Sequence, residues 1–109
     1  MPVTPIPGRK VRGSTTGRPL MAALDLLGRR WALRLLWELR GGPLGARALK
    51  SRCDDMSSSV LYERVGELIE AGLVRQTDTR DYELTVMGQS LREAIEPLDR
   101  WAVKWARSR

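Results

Sequence analysis

Residues 46–72 read ARALKSRCDDMSSSVLYERVGELIEAG and hold two helical patterns separated by a short polar turn. In the first pattern, Leu49 and Cys53 lie four residues apart on one face of a short helix. The second pattern follows Ser57, whose hydroxyl can accept a hydrogen bond from a backbone N–H of the first helical turn. Gly72 is well placed to end this helix. Two helices joined by a tight turn, the second with a strong N-cap, form the helix-turn-helix pattern.

The second of these helices has one apolar and one polar face. Its apolar stripe consists of Leu61, Val65 and Leu68, and Met56 stands before the N-cap, where it can pack against Leu61. With the stripe directed towards the core, the polar face is free to contact a partner.

The segments on both sides of this pair complete a mainly α fold with one small β-hairpin. A helical pattern covers residues 20–27, and residues 31–39 are apolar nearly all round, which is typical of a central helix. After the helix-turn-helix pair the period becomes strand-like, over residues 73–77 and 82–84. Thr85 can then cap a long amphipathic helix. We predict an α+β fold of the winged helix-turn-helix type, with dimerisation helices at the N- and C-terminal ends.

The chain divides into a basic N-terminal arm, residues 1–19, and a domain, residues 20–109. The arm is rich in Pro and Gly and holds four basic residues and no acidic one. Because the remaining basic residues nearly balance the 13 acidic ones, most of the net charge of +6 lies on the arm. We predict a flexible arm that contacts a polyanion, most often a nucleic acid. The alternative is a tail that only improves solubility.

The residue types that are absent exclude most enzyme chemistry. The chain has no His and a single cysteine, Cys53, which removes His-based catalytic triads, most zinc sites and any intramolecular disulfide. The sequence shows no nucleophile–base pair and no Gly-rich phosphate loop, so we predict neither an enzyme nor a cofactor. No apolar run approaches the ~20 residues of a membrane span, and the N-terminus lacks the apolar region of a signal peptide. We therefore expect a cytoplasmic protein without a membrane partner.

Three stretches resemble the HxlR-type winged-helix regulators. They are residues 24–31 (LDLLGRRW), residues 56–74, which end in EAGLV, and residues 82–88 (YELTVMG). The Gly-basic-basic-Trp part, together with the tryptophans near the C-terminus, carries the most specific part of the resemblance. The similarity covers roughly residues 20–105 and implies sequence-specific DNA binding by a homodimer with two half-site readers.

The sequence departs from the family in three places. Many members carry a cysteine just before the first helix that can sense reactive chemicals, whereas residues 15–19 here read TTGRP. The hairpin loop is shorter than usual, and Gly66 stands in the second helix where a longer residue is usual. The resemblance therefore does not imply thiol sensing before the first helix.

The helix after Ser57 is the predicted reading element, because the free N–H groups and partial positive charge of a helix N-terminus suit a phosphate. Serine can bond to several base edges, and Tyr62 can bond to a phosphate or pack on a thymine methyl. Glu63 could accept a hydrogen bond from a cytosine amino group but would also repel phosphates. The predicted DNA contacts are Arg47, Lys50, Ser57, Ser58, Ser59, Tyr62, Arg64 and Arg80.

Several of these contacts have a plainer alternative. Arg47 and Lys50 lie on the preceding helix, which crosses the DNA backbone in this motif, but each could be an ordinary solvated charge. Arg64 could reach a phosphate or form a salt bridge with an acidic residue one turn away. Arg80, at the tip of the hairpin, is the candidate wing contact, with the same plain alternative.

The last helix presents an aromatic face, and a domain of this size has little other surface that could cover it. Exposed apolar faces of this kind mark interfaces; the alternative is packing onto the first helix of the same chain. We predict a homodimer in which this helix pairs with residues 20–27 of a second copy. The predicted interface residues are Leu20, Leu24, Leu27, Leu98, Trp101 and Trp105.

Together these features predict a sequence-specific transcription regulator that binds double-stranded DNA as a homodimer on a pseudo-palindromic site, with its reading helices ~34 Å apart. The alternative is a winged-helix module for protein or RNA contact, which the balanced charge of residues 20–109 and the presence of Glu63 favour. A small-molecule effector of unspecified identity could bind between the DNA-binding body and the dimer helices. Cys53 is expected to be a buried structural thiol rather than a redox sensor.

Overall fold

The computed structural model describes residues 4–109, which form five α-helices and one two-stranded antiparallel sheet. The helices are α1 (Pro19–Leu27), α2 (Ala32–Glu38), α3 (Ala46–Arg52), α4 (Ser58–Glu70) and α5 (Val86–Arg107), and the strands are β1 (Val74–Gln76) and β2 (Tyr82–Leu84). A short 3-10 turn, Leu39–Gly41, follows α2. The predicted fold class is confirmed, whereas the dimerisation role of the terminal helices stays a prediction.

Helix α2 lies at the centre of the core. Leu35, Leu36 and Leu39 are buried, and α2 packs against the other four helices. The nearly all-round apolar sequence is what this position requires, because each side of the helix meets a different neighbour. The segment ends at the Gly-Gly-Pro sequence of residues 41–43, with Gly42 in a positive-φ conformation.

A tight turn joins α3 to α4. Asp54 and Asp55 both have φ near +56°, a left-handed conformation that Asp tolerates better than most residues. Ser57 caps α4, since its hydroxyl accepts a hydrogen bond of 3.2 Å from the Val60 backbone N–H. Met56 is buried just before this cap, in line with the predicted hydrophobic staple.

Loss of the Ser57 cap is expected to weaken the fold measurably. In Ser57→Ala the Val60 N–H loses its side-chain acceptor, so we expect the free energy of unfolding to fall by about 1 kcal/mol. Chemical denaturation checks this value. Ser51→Ala, an exposed serine on α3, is the matched control and should change stability by less than about 0.5 kcal/mol. An equal loss in both variants would contradict the cap.

Helix α4 ends in a Schellman motif that turns the chain into the hairpin. Gly72 has φ +81°, which favours glycine. Its N–H donates to the Ile69 carbonyl at 2.9 Å, and the Leu73 N–H donates to the Leu68 carbonyl at 3.0 Å. The predicted role of Gly72 at the end of the helix is therefore confirmed.

Strand β2 lies in the middle of a small three-stranded arrangement. It pairs with β1 in the register Val74 opposite Leu84. On its other edge, Leu44 forms an isolated bridge to Tyr82, with N–H to carbonyl distances of 2.9 and 2.8 Å. This bridge joins the chain just before α3 to the hairpin.

Helix α5 starts against the hairpin through a close backbone approach. Thr85 caps it by accepting a hydrogen bond of 3.1 Å from the Gly88 N–H. A Cβ on Gly88 would stand 2.1 Å from the Leu73 carbonyl oxygen, so only glycine fits there. The helix continues through Pro97 to Arg107.

Residues 4–18 form turns that fold back on the domain. The Gly8 N–H donates to the Gly17 carbonyl at 2.9 Å, and the Arg12 N–H donates to the Asp25 carboxylate at 3.1 Å. This part of the predicted arm is therefore folded into turns rather than extended. Its flexibility and its contact with a polyanion stay predictions.

The first three residues of the predicted arm lie outside the described residues. Among the helices formed by residues 4–109, none combines the length and the apolar character needed to cross a lipid bilayer.

Candidate nucleic-acid interface

The N-terminus of α4 presents three exposed serines, Ser57, Ser58 and Ser59. The Lys50 ammonium donates to the Ser58 hydroxyl at 2.7 Å, which joins α3 to the first turn of α4. The structure thus brings together two predicted contact residues from different helices. A cation beside the positive end of a helix dipole repels it, and a bound anion would relieve this repulsion. The arrangement therefore suits a phosphate.

Tyr62 and Arg47 extend this surface. The Tyr62 side chain is 56% exposed, one turn after the capped end of α4. Arg47 is exposed on α3, and within residues 4–109 no carboxylate pairs with its guanidinium. An aromatic ring with a hydroxyl and an unpaired guanidinium can contact base edges and phosphates respectively.

Tyr62 also lies close enough to the hairpin to affect a tyrosine there. Burial raises the pKa of the Tyr82 hydroxyl, and the nearby Tyr62 hydroxyl raises it further. Tyr82 is therefore a neutral, buried part of the core, whereas Tyr62 stays on the surface and available to a partner.

Arg64 forms a salt bridge with an acidic residue one turn away, which is the alternative to a phosphate contact. Its guanidinium pairs with Glu67 at 3.0 Å and with Glu63 at 3.3 Å, and its Nε donates to the Arg30 carbonyl at 2.9 Å. The side chain is mostly buried. A phosphate would have to compete with two carboxylates for this guanidinium, so the structure favours the salt bridge over the predicted DNA contact.

The ion pair between Arg64 and Glu63 also changes the interpretation of Glu63. The carboxylate that could repel DNA phosphates lies 3.3 Å from the Arg64 guanidinium, which offsets part of its negative charge. One argument against DNA binding at this face is thereby weakened.

Glu67 connects α4 to the turn between α1 and α2. One carboxylate oxygen accepts from Arg64, and the other accepts from Arg29. All three side chains are less than one-fifth exposed. The sequence reasoning missed this cluster, although the three-residue spacing of Arg64 and Glu67 is a signal for one half of it.

Removal of the Glu67 charge is expected to loosen α4. In Glu67→Gln two guanidinium groups lose their shared carboxylate, so we expect the free energy of unfolding to fall by roughly 1 kcal/mol. Glu70→Gln on the same helix is the control, because within residues 4–109 Glu70 forms a single, exposed pair at 3.5 Å with Arg9 and should contribute less than about 0.5 kcal/mol. Thermal and urea denaturation measure both, and equal losses would contradict the role of Glu67.

Arg80 lies at the exposed end of the hairpin. It has φ +70°, and its N–H donates to the Thr77 carbonyl at 3.0 Å, which closes a tight loop. Among residues 4–109 no carboxylate pairs with its guanidinium. The geometry leaves the side chain free for a wing contact, which stays a prediction.

The predicted dimer surface is exposed on a single chain. Leu20 is 69% exposed, and Trp101 and Trp105 are 55% and 52% exposed. The two indole rings stack on each other, with centroids 5.5 Å apart and planes 12° apart. Their exposure argues against the alternative of packing onto α1 within the chain.

The other predicted interface residues divide into two groups. Leu24 and Leu98 are more than half exposed, whereas Leu27 is half-buried and packs against the core. Leu27 therefore already contributes to the core of a single chain.

Cys53 is fully buried, as expected of a structural thiol. Burial raises the pKa of its thiol, and the nearby Arg34 lowers it only in part. The thiolate that reacts with oxidants is therefore disfavoured near neutral pH. Among the described residues, no group of three or more His, Cys, Asp or Glu is placed to hold a metal ion.

The HxlR-like helix-turn-helix family matches residues 26–109 of this chain. The chain belongs to this family. Among curated proteins it is similar to the HTH-type transcriptional regulator YvaP of Bacillus subtilis (strain 168), with 29% identity over 89 residues, which span 76% of this chain and 82% of YvaP. The predicted HxlR-type family is thereby confirmed.

Solved structures of regulators share the fold. Quinone-bound YodB from B. subtilis is 29% identical, with a TM-score of 0.72 over 79% of this chain and 97% of YodB. A protein described as a possible HxlR family transcriptional factor from Thermoplasma volcanium GSS1 is 27% identical, with a TM-score of 0.70 over 82% of this chain and 85% of that one. These relatives are transcriptional regulators and not enzymes, so this HxlR-family protein is a helix-turn-helix transcription regulator.

Proposed function

We propose that this HxlR-family regulator binds double-stranded DNA sequence-specifically, as a homodimer on an inverted repeat. The surface around the start of α4 carries the proposal. There the Lys50 ammonium lies 2.7 Å from the Ser58 hydroxyl, and Tyr62 is exposed one turn further on. Lys50, Arg47 and the helix N-terminus would hold phosphates, and Ser58, Ser59 and Tyr62 would face base edges.

The exposed apolar face of α5 supports the proposed dimer. A stacked pair of half-exposed indoles on a small domain costs solubility unless another surface covers it. We propose that a second copy covers it with the exposed leucines of α1, in a closed two-fold arrangement. Two α4 helices related by that axis would enter successive major grooves, ~34 Å apart.

The first experiment separates this function from RNA or protein contact. The full-length protein and a variant with Arg9, Lys10, Arg12 and Arg18 changed to Gln are titrated by fluorescence anisotropy, at several salt concentrations around the physiological value, with duplex DNA of random sequence and with RNA. We expect both proteins to prefer duplex DNA, the variant with a smaller salt dependence because it neutralises fewer phosphates. Loss of all DNA binding in the variant, or a preference for RNA, would contradict the proposal.

A small-molecule effector also fits this protein. The similar regulator YodB is seen with a bound quinone. We propose that the present chain responds to a small molecule by non-covalent binding, because its single cysteine is fully buried. The similar regulator YvaP belongs to a bacterium, and a regulator of bacterial DNA works in the cytoplasm, so we propose this location for the present chain.

A further inference from the structure

An apolar cleft of about 500 Å³ separates α1 from the first half of α5. Its floor includes the buried Ala22 and Leu26 of α1, and Leu91 and Ala94 of α5 line the opposite side. The end of α4 and the start of the hairpin close one end, where Leu73 lies. Cavities of this size accommodate drug-sized molecules.

The N-terminal segment forms a further wall of the cleft. Ile6 and Pro7 line it, and the Arg9 N–H donates to the Ile6 carbonyl at 3.1 Å. The Arg9 side chain in turn reaches Glu70 at the end of α4, at 3.5 Å. The wall is thus shaped by a backbone hydrogen bond within the segment, and it contacts α4 through an exposed ion pair.

The lining determines the chemistry of an occupant. None of the described lining residues carries a charge, and the one hydroxyl among their side chains belongs to Ser90. A charged ligand would lose its hydration without gaining a partner, whereas apolar surface gains from leaving water. An uncharged, largely apolar molecule with at most a few hydrogen-bonding groups is favoured.

We propose that this cleft binds an uncharged, mainly apolar small molecule. A second copy of the chain is the competing occupant, but of the predicted dimer residues only Leu27 lines the cleft. The stacked Trp101 and Trp105 lie further along α5, outside it. Apart from Leu27, the ligand site and the proposed dimer surface therefore use different residues of the same two helices.

A regulatory role for this site rests on the proposed function, because the cleft lies between the end of α4, the proposed reading helix, and α5, a proposed dimer helix. The binding test itself uses no DNA. Failure of the binding test would therefore leave the DNA-binding proposal unaffected. Failure of the DNA-binding tests would likewise leave the proposed ligand site unaffected.

The probe is N-phenyl-1-naphthylamine, an uncharged molecule whose fluorescence rises in apolar surroundings. The full-length protein is expected to bind it saturably, with one site per chain. Ala94→Trp and Ser90→Trp, at exposed positions on the cleft wall, should weaken binding about tenfold or more, because the indole fills the space that the probe needs. Ala106→Trp, also exposed on α5 but outside the cleft, should leave binding unchanged. Thermal melting checks that all variants fold.

Any one of four results would overturn the proposal. The wild-type protein could fail to bind the probe saturably. Ala94→Trp and Ser90→Trp could bind it as well as the wild type, or Ala106→Trp could weaken binding equally, which would move the site to another apolar surface. Binding could also decline as the protein concentration rises, which would show that a second copy covers the cleft.

Discussion

Trp105→Glu is expected to convert the proposed homodimer into monomers. The Trp105 side chain is 52% exposed on one chain and stacks on Trp101, so a partner surface would bury a paired indole that glutamate replaces with a charge. Loss of a central aromatic anchor commonly costs more than 2 kcal/mol, and an unpaired buried carboxylate adds to that cost. We expect the dissociation constant of the dimer to rise about a hundredfold or more. Sedimentation velocity over a range of protein concentrations measures it.

Val103→Glu is the matched control for this change. Val103 lies on α5 between the two tryptophans in sequence, is 45% exposed, and points about 160° away from Trp105 at 100° per residue. The same charge on the opposite face should leave the dimer intact. Dimers that survive Trp105→Glu, or that are lost equally in Val103→Glu, would place the interface elsewhere.

Tyr62→Ala is expected to reduce specific DNA binding far more than non-specific binding. The side chain is exposed on α4, and a residue that contacts base edges contributes about 1–3 kcal/mol of discrimination. We therefore expect specific affinity to fall about tenfold or more, while affinity for a random duplex changes less than about twofold because phosphate contacts remain.

Lys50→Gln provides the contrasting variant. Lys50 is proposed to contact a phosphate, so its loss should weaken specific and non-specific binding alike and reduce the salt dependence by about one charge. Competition titrations with a specific duplex, obtained by selection from a randomised library, and with a scrambled duplex separate loss of specific binding from loss of all binding. Equal losses on both duplexes for Tyr62→Ala would show that Tyr62 contacts the backbone and does not read bases.

The sequence predicted the local structure well where a single residue determines it. Ser57 and Thr85 cap α4 and α5, and Gly72 ends α4 in the left-handed conformation. Each of these signals acts through backbone groups within a few residues, so the sequence pattern contains the whole interaction. The sequence also predicts the apolar stripe of α4, because the helical period directly sets which side chains are buried.

The sequence predicted less where the structure joins distant segments. The sequence alone leaves two roles for Arg64, a phosphate contact or a salt bridge. The three-residue spacing of Arg64 and Glu67 is enough to indicate their ion pair. The contact of Arg29 with Glu67 is not signalled by spacing, because the two residues are 38 positions apart and meet through the packing of α2 on α4. The turns formed by residues 4–18 were missed for the same reason, since Pro and Gly there indicate extended chain or disorder while the contact with Asp25 depends on tertiary structure.

The central claim is that two copies of α4 read an inverted repeat, and selection from a randomised duplex library tests it most directly. The full-length protein is used at near-physiological salt, and bound duplexes are sequenced after successive rounds. We predict enrichment of an inverted repeat whose half-sites are about one helical turn apart from centre to centre. Recovery of unenriched sequences, bound only through contacts that salt abolishes, would contradict the claim.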